Sequence, residues 1–216
     1  MKVPWKIYSS ATGYNKLFIN LILLFILAPF AAFNSYINFL VSCFFLLTLL
    51  LGLNTLNLPK NILFSLRVFA ALGFIADVIV LKSIHFTEIS ALVSYFCYGI
   101  FMIMFIIAIG FRISQEEKVN KQVIRGGICL YLLLGLLWFF FYQITVFFDP
   151  NAFSIPEGLD TPSLFYFSFT TLTTLGYGDI TPNNAFAMTL SNGEALVGQI
   201  YPAVVIAKLV SLYTDE

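Results

Sequence analysis

Charge is what this chain has least of: 10% of its 216 residues are charged, against 60% hydrophobic. Soluble globular domains carry about 25% charged residues, so the composition names lipid as the main solvent. Lys and Arg balance Asp and Glu, with zero formal net charge, which leaves no basic footprint for nucleic acid. A single histidine, His85, leaves little material for imidazole catalysis or a zinc site. Cys43, Cys97 and Cys129 lie far apart inside apolar runs without a C-x-x-C, and they read as small buried side chains rather than a disulfide or metal site. No nucleophile–base pair, metal cluster or phosphate loop is visible, so the sequence does not point to an enzyme. No cofactor is expected. Aromatics are abundant instead, at 18% with 25 Phe.

A membrane span needs about 20 apolar residues. The apolar stretch 17–53 would reach about 55 Å as one helix, too long to cross once. Asn34-Ser35 near its middle divides it into spans 17–33 and 36–53, and Asn54, Asn57 and Pro59 mark the loop that follows. Further spans are expected at 61–81, 89–111, 126–147 and 185–212. Lys2, Lys6 and Lys16 before the first apolar run, with Ala28, Ala31 and Ala32 near its end, resemble a secretory signal. Pro29, Phe30 and Phe33 interrupt the cleavage-like region, so the segment is read as an uncleaved span. The expected organisation is a four-helix membrane region at 1–111, a polar cytoplasmic linker at 112–125 and a second membrane unit at 126–216.

Orientation follows from the Lys and Arg residues near span ends. With the N-terminus inside, Lys2, Lys6, Lys16, Lys60, Arg112, Lys118, Lys121 and Arg125 are cytoplasmic, and Lys82 alone is outside. Arg67 and Lys208 lie near cytoplasmic span ends, where long side chains snorkel. Both termini are then cytoplasmic, and segment 148–184 faces outward.

That outer segment contains T-P-S-L-F-Y-F-S-F-T-T-L-T-T-L-G-Y-G-D-I-T-P from Thr161 to Pro182. Thr161 followed by Pro162 is a helix start, and 162–173 predicts an apolar helix about 18 Å long. That is too short to cross, so it must dip into the membrane and return. Non-helical backbone at membrane depth is tolerated only where it is buried in protein or lines water.

Here the sequence resembles the potassium-channel family, whose signature T-x-x-T-x-G-Y-G-D runs from Thr171 to Asp179. The resemblance implies an all-α integral membrane protein with six spans, a re-entrant pore helix and a selectivity-filter loop. A filter points consecutive carbonyl oxygens at one axis to replace an ion's hydration shell. Strand geometry alternates carbonyl directions, so alignment needs residues at positive φ, which Gly176 and Gly178 adopt freely. By resemblance, the carbonyls of Thr174, Leu175, Gly176 and Tyr177 and the Thr174 hydroxyl coordinate potassium, with Gly178 completing the filter. Tyr166 and Phe167 are expected to brace the Tyr177 ring, with Thr170, Thr171, Thr173 and Asp179 as further support. The pore helix turns its partial negative C-terminus toward a cation. Non-selective cation channels of this fold typically lack the tyrosine, so Tyr177 favours potassium over weak selectivity. Some family members carry Glu four residues before the filter Thr, paired with the filter Asp; here that position is Thr170, and the pair cannot form.

One G-Y-G strand cannot surround an ion, so a homotetramer is implied by resemblance to single-repeat channels. Potassium ions and the lipid bilayer are the other partners. The location implied is a plasma membrane, of the bacterial inner-membrane type. Asp149, Glu157 and Asp160 read either as an outer cation funnel or as a solvated loop. Gly198 stands twenty residues after Gly178, the spacing of an inner-helix hinge in related channels. Pro202 removes the helical partner of the residue 198 carbonyl, so the two together predict a kink. Glu194, one turn before Gly198, is costly inside a membrane; it either bonds the pore helix or faces the cavity. Gln199 is a cavity-lining residue by analogy.

Voltage-gated relatives need a series of Arg or Lys in the fourth span. Span 89–111 has none, with Arg112 at its inner end, and Arg67 and Asp77 stand about 15 Å apart along one helix. Weak voltage dependence is therefore expected. Residues 213–216 leave no room for a cytosolic ligand-binding domain, so gating is expected from the filter, lipid, the first four spans or a regulatory partner. The competing reading is a non-conducting sensory or scaffold protein with a channel-like fold.

Overall fold

A computed structural model describes residues 13–32, 35–55, 59–82, 87–116, 120–156 and 163–214. Lys2, Lys6, Phe33, Asn34, Asn57, His85, Lys118, Glu157, Asp160 and the Thr161-Pro162 helix start lie outside them.

Apolar runs form seven α-helices among the described residues. They are α1 (Gly13–Leu27), α2 (Ser35–Thr55), α3 (Lys60–Lys82), α4 (Thr87–Ser114), α5 (Lys121–Phe148), α6 (Ser163–Leu172) and α7 (Ala185–Thr214). The described residues are almost entirely α-helical, in keeping with the all-α membrane architecture expected from the sequence. Helices α2, α3, α4 and α5 are long and apolar enough to cross a bilayer. The outermost two of the six expected spans depart from that pattern. At 15 residues, α1 is short, and a 3-10 turn at Ala28–Ala32 follows it. Helix α7 has 30 residues, about 45 Å, but Glu194 and Gln199 lower its hydropathy; both side chains find partners on other elements.

Consecutive helices α1 to α5 pack as neighbours, α1 also lies against α5, and α6 sits between α5 and α7. One apolar cluster runs through all of this, from Leu17 and Leu21 through Leu49, Leu53, Leu66, Phe101 and Phe105 to Leu133, Leu137 and Leu172. The polar linker is shorter than expected, because α4 continues to Ser114 and α5 begins at Lys121. Asn120 caps α5, its Oδ1 accepting from the amides of Gln122 (2.9 Å) and Val123 (3.0 Å). Such a cap satisfies donors that a helix start leaves without partners. Arg112, in the last turn of α4, lies over the Tyr14 ring at 5.4 Å. Cys43, Cys97 and Cys129 are free thiols.

The C-terminal end of α5 is latched to the start of α7. Strands β1 (Phe153–Ser154) and β2 (Thr181–Pro182) pair antiparallel, Phe153 opposite Pro182 and Ser154 opposite Thr181. Asn184 caps α7 by accepting from the Ala187 amide (2.8 Å), and its Nδ2 donates to Asp149 Oδ2 (2.6 Å). The other Asp149 oxygen accepts from the Asn151 amide (3.0 Å). Asp149 therefore serves the latch, a role its sequence position did not suggest.

Candidate functional site

The ten-residue α6 ends at Leu172, and the chain then turns without slack. The Thr173 amide donates to Phe169 O and Thr174 N to Thr171 O, while Leu175 N and Gly176 N both donate to Thr170 O (2.9 and 3.1 Å). The first amides after the helix thus satisfy its last carbonyls. Thr174, Gly176 and Gly178 then take positive φ of 58°, 52° and 79°, while Leu175 and Tyr177 between them do not. Such an alternation of hands is what turning consecutive carbonyls toward one side requires. The glycines adopt this freely. Thr174 does so against the preference of a β-branched residue, and the sequence carried no local sign of it.

Side chains brace this loop from two sides. The Tyr166 and Tyr177 rings stack with centroids 6.3 Å apart and planes 9° apart. The Tyr166 hydroxyl donates to Asp179 Oδ2 at 2.7 Å. That hydrogen bond pushes the Tyr166 phenol up to about 12, so it remains a donor at any physiological pH. Asp179 Oδ1 accepts from the next amide, Ile180 N (3.1 Å). From below, Gln199 Nε2 donates to Thr174 Oγ1 at 2.8 Å, which brings two sequence-predicted residues into direct contact. Thr173 Oγ1 donates to Phe169 O (2.7 Å), and Thr170 Oγ1 to Phe167 O (3.0 Å).

Phe167 does not brace Tyr177 within the chain, contrary to expectation. Adjacent helix positions point about 100° apart, so with Tyr166 toward the filter, Phe167 turns into the outer cluster. There it meets Tyr142 (5.0 Å) and Phe153 (5.3 Å).

Residues 126–215 match the family model described as an ion channel. The match spans less than half of the chain and makes this segment similar to ion-channel domains. No curated protein and no solved structure matches the chain. The matched segment holds together through polar tips of aromatic side chains that sequence reasoning missed. Tyr131 OH donates to Leu172 O (3.1 Å), Trp138 Nε1 to Leu190 O (3.1 Å) and Tyr201 OH to Gly127 O (2.8 Å). A buried aromatic with a polar tip needs a partner, which is the signal that could have drawn attention to them.

Two inner-helix positions also take definite places. Gly198 lies against the end of the pore helix, where an added Cβ would overlap the Leu172 carbonyl. Helix α7 is continuous through Pro202. Of the two alternatives for Glu194, the bonded one holds: it is buried, with Ser168 Oγ at 2.6 Å from Oε1 and the Tyr142 hydroxyl donating to Oε2.

Proposed function

We propose that this chain is one subunit of a homotetrameric, potassium-selective channel, passing dehydrated potassium through a filter at Thr174, Leu175, Gly176, Tyr177 and Gly178. The observation that carries the reading is the positive φ at every second residue from Thr174 to Gly178, directly after a helix too short to cross a bilayer. Carbonyls turned to one side can replace a hydration shell only as a closed ring, so four copies surround the axis. Leu196, Ile200 and Val204 form an apolar stripe on α7 that faces away from its own chain. Leu175 and Tyr177 are also left exposed by a single copy. Neighbouring copies would cover such surfaces. Gln199 lines the inner cavity just beneath the filter, and Gly198 with Pro202 forms a hinge in the inner helix. The site sits in a plasma membrane with both termini cytoplasmic, and without a voltage-sensing arginine series it opens with weak voltage dependence.

The test is ion flux from purified protein in liposomes, comparing potassium, rubidium and sodium. Flux of potassium and rubidium with sodium excluded is expected. Sodium passing as readily as potassium overturns the selectivity; no flux of any ion, together with a tolerated Gly176→Ala, points to a scaffold with a channel-like fold.

A further inference from the structure

Glu194 is completely buried in α7, and its surroundings can be counted proton by proton. Ser168 Oγ lies 2.6 Å from Glu194 Oε1 and 2.7 Å from the Gly135 carbonyl oxygen. Oxygens this close need a proton between them. A serine hydroxyl has one proton and a carbonyl has none, so Ser168 can serve only one of the two contacts as donor. If Ser168 donates to Gly135, the proton on the other side comes from the carboxyl. If it donates to Glu194, its oxygen and the Gly135 oxygen face each other with nothing between. The Tyr142 hydroxyl donates to Oε2, so the second carboxyl oxygen needs no proton of its own.

We infer that Glu194 is a neutral carboxylic acid that positions the pore helix, donating to Ser168 on α6 and accepting from Tyr142 on α5. Its bonded partners are Ser168 from α6 and Tyr142 from α5; Tyr131 of α5 is within electrostatic reach of it, and Ser191 of its own helix bonds Tyr142. Among the described residues no Lys or Arg acts on it. A carboxylate in such a place would be buried and uncompensated, which is expensive inside a membrane. Gly135 makes the arrangement reachable: a Cβ there would stand 2.7 Å from the Phe169 ring, and α6 could not come so close to α5. Ser168 precedes by two residues the Thr170 carbonyl that accepts from Leu175 and Gly176. The acid thus holds the part of the helix on which the loop is hung. Its importance for ion selection rests on the proposed reading of that loop as a filter.

Infrared spectroscopy and flux together test this. At neutral pH the wild-type protein should show a protonated-carboxyl stretch that disappears in Glu194→Gln. Glutamine reproduces the neutral acid, with Nε2 donating to Ser168 and Oε1 accepting from Tyr142. Glu194→Gln should therefore keep the potassium-to-sodium flux ratio, while Glu194→Ala and Ser168→Ala lower it by about tenfold, as expected for a buried group left without its partner. Thermal unfolding ranks the variants independently of flux, Glu194→Gln close to wild type and Glu194→Ala well below. A missing band, or Glu194→Gln falling as far as Glu194→Ala in unfolding temperature, overturns the inference. If the wild type passes no potassium, the channel reading fails, and the infrared band with the unfolding series still decides the state and role of the acid.

Discussion

The first four helices and the C-terminal unit are built from similar residues but held together differently. In the N-terminal bundle, packing is mostly apolar, and Asp77 forms a polar node faced by Ser42, Ser94 and Tyr98. In the C-terminal unit, polar ties recur along its depth: Tyr201 to Gly127, Tyr131 to Leu172, Ser168 and Tyr142 to Glu194, Trp138 to Leu190, and Asn184 to Asp149. Lipid provides no hydrophobic drive between helices, so packing and interhelical hydrogen bonds must do the holding. Directional bonds fix angles and heights that apolar contacts leave adjustable. The difference teaches that the C-terminal unit is specified for position and the bundle for contact.

The comparison can be broken most severely at Gly176. Its Cβ would meet nothing within 4 Å, yet its φ is +52°, so Gly176→Ala is penalised by about 1–2 kcal/mol through backbone conformation alone. Potassium flux in liposomes should fall to background while helical content by circular dichroism is retained. Phe140 sits where the two regions meet, with centroids 5.8 Å from Phe45 and 5.5 Å from Tyr98. Phe140→Ala should lower unfolding stability by about 3 kcal/mol, and cysteine crosslinking between α4 and α5 should broaden. Gly198→Ala forces a methyl into the Leu172 carbonyl. It should cost about 1–3 kcal/mol, read as a lower Tm, and it should reduce open probability in single-channel recordings. Tyr166→Phe removes an exposed hydrogen bond to Asp179. Potassium-to-sodium selectivity should drop a few-fold, equally on either side of neutral pH, because the phenol titrates only near 12. The smallest effect is expected in the bundle: Arg67→Gln on α3 should leave the slope of the conductance–voltage curve unchanged.

Much of the C-terminal unit was legible because its information is local. The length of an apolar run, the brevity of 162–173 and the spacing of Gly176 and Gly178 can be read from neighbours in the chain. The left-handed Thr174 was not legible, since nothing about a threonine announces that conformation, and its hydroxyl partner Gln199 lies twenty-five residues away. Phe167 was assigned to the filter from its place in the motif, although its helical angle from Tyr166 turns it elsewhere. Glu194 was recognised as costly but not resolved between its two roles, because its partners lie on helices far away in sequence. The β1–β2 latch left no trace either, as two-residue strands are too short to show alternation.

Leu172 is a point where three helices converge: its carbonyl receives the Tyr131 hydroxyl from α5 and stands against Gly198 of α7. A glycine pressed on a backbone oxygen leaves no clearance in that direction. Motion of the inner helix toward this level must therefore push the end of the short helix or slide past it. Either way the disturbance reaches the Thr170 carbonyl and the loop hung from it within a single turn, so a displacement of α7 would be felt at Leu175 and Gly176 without any intermediary.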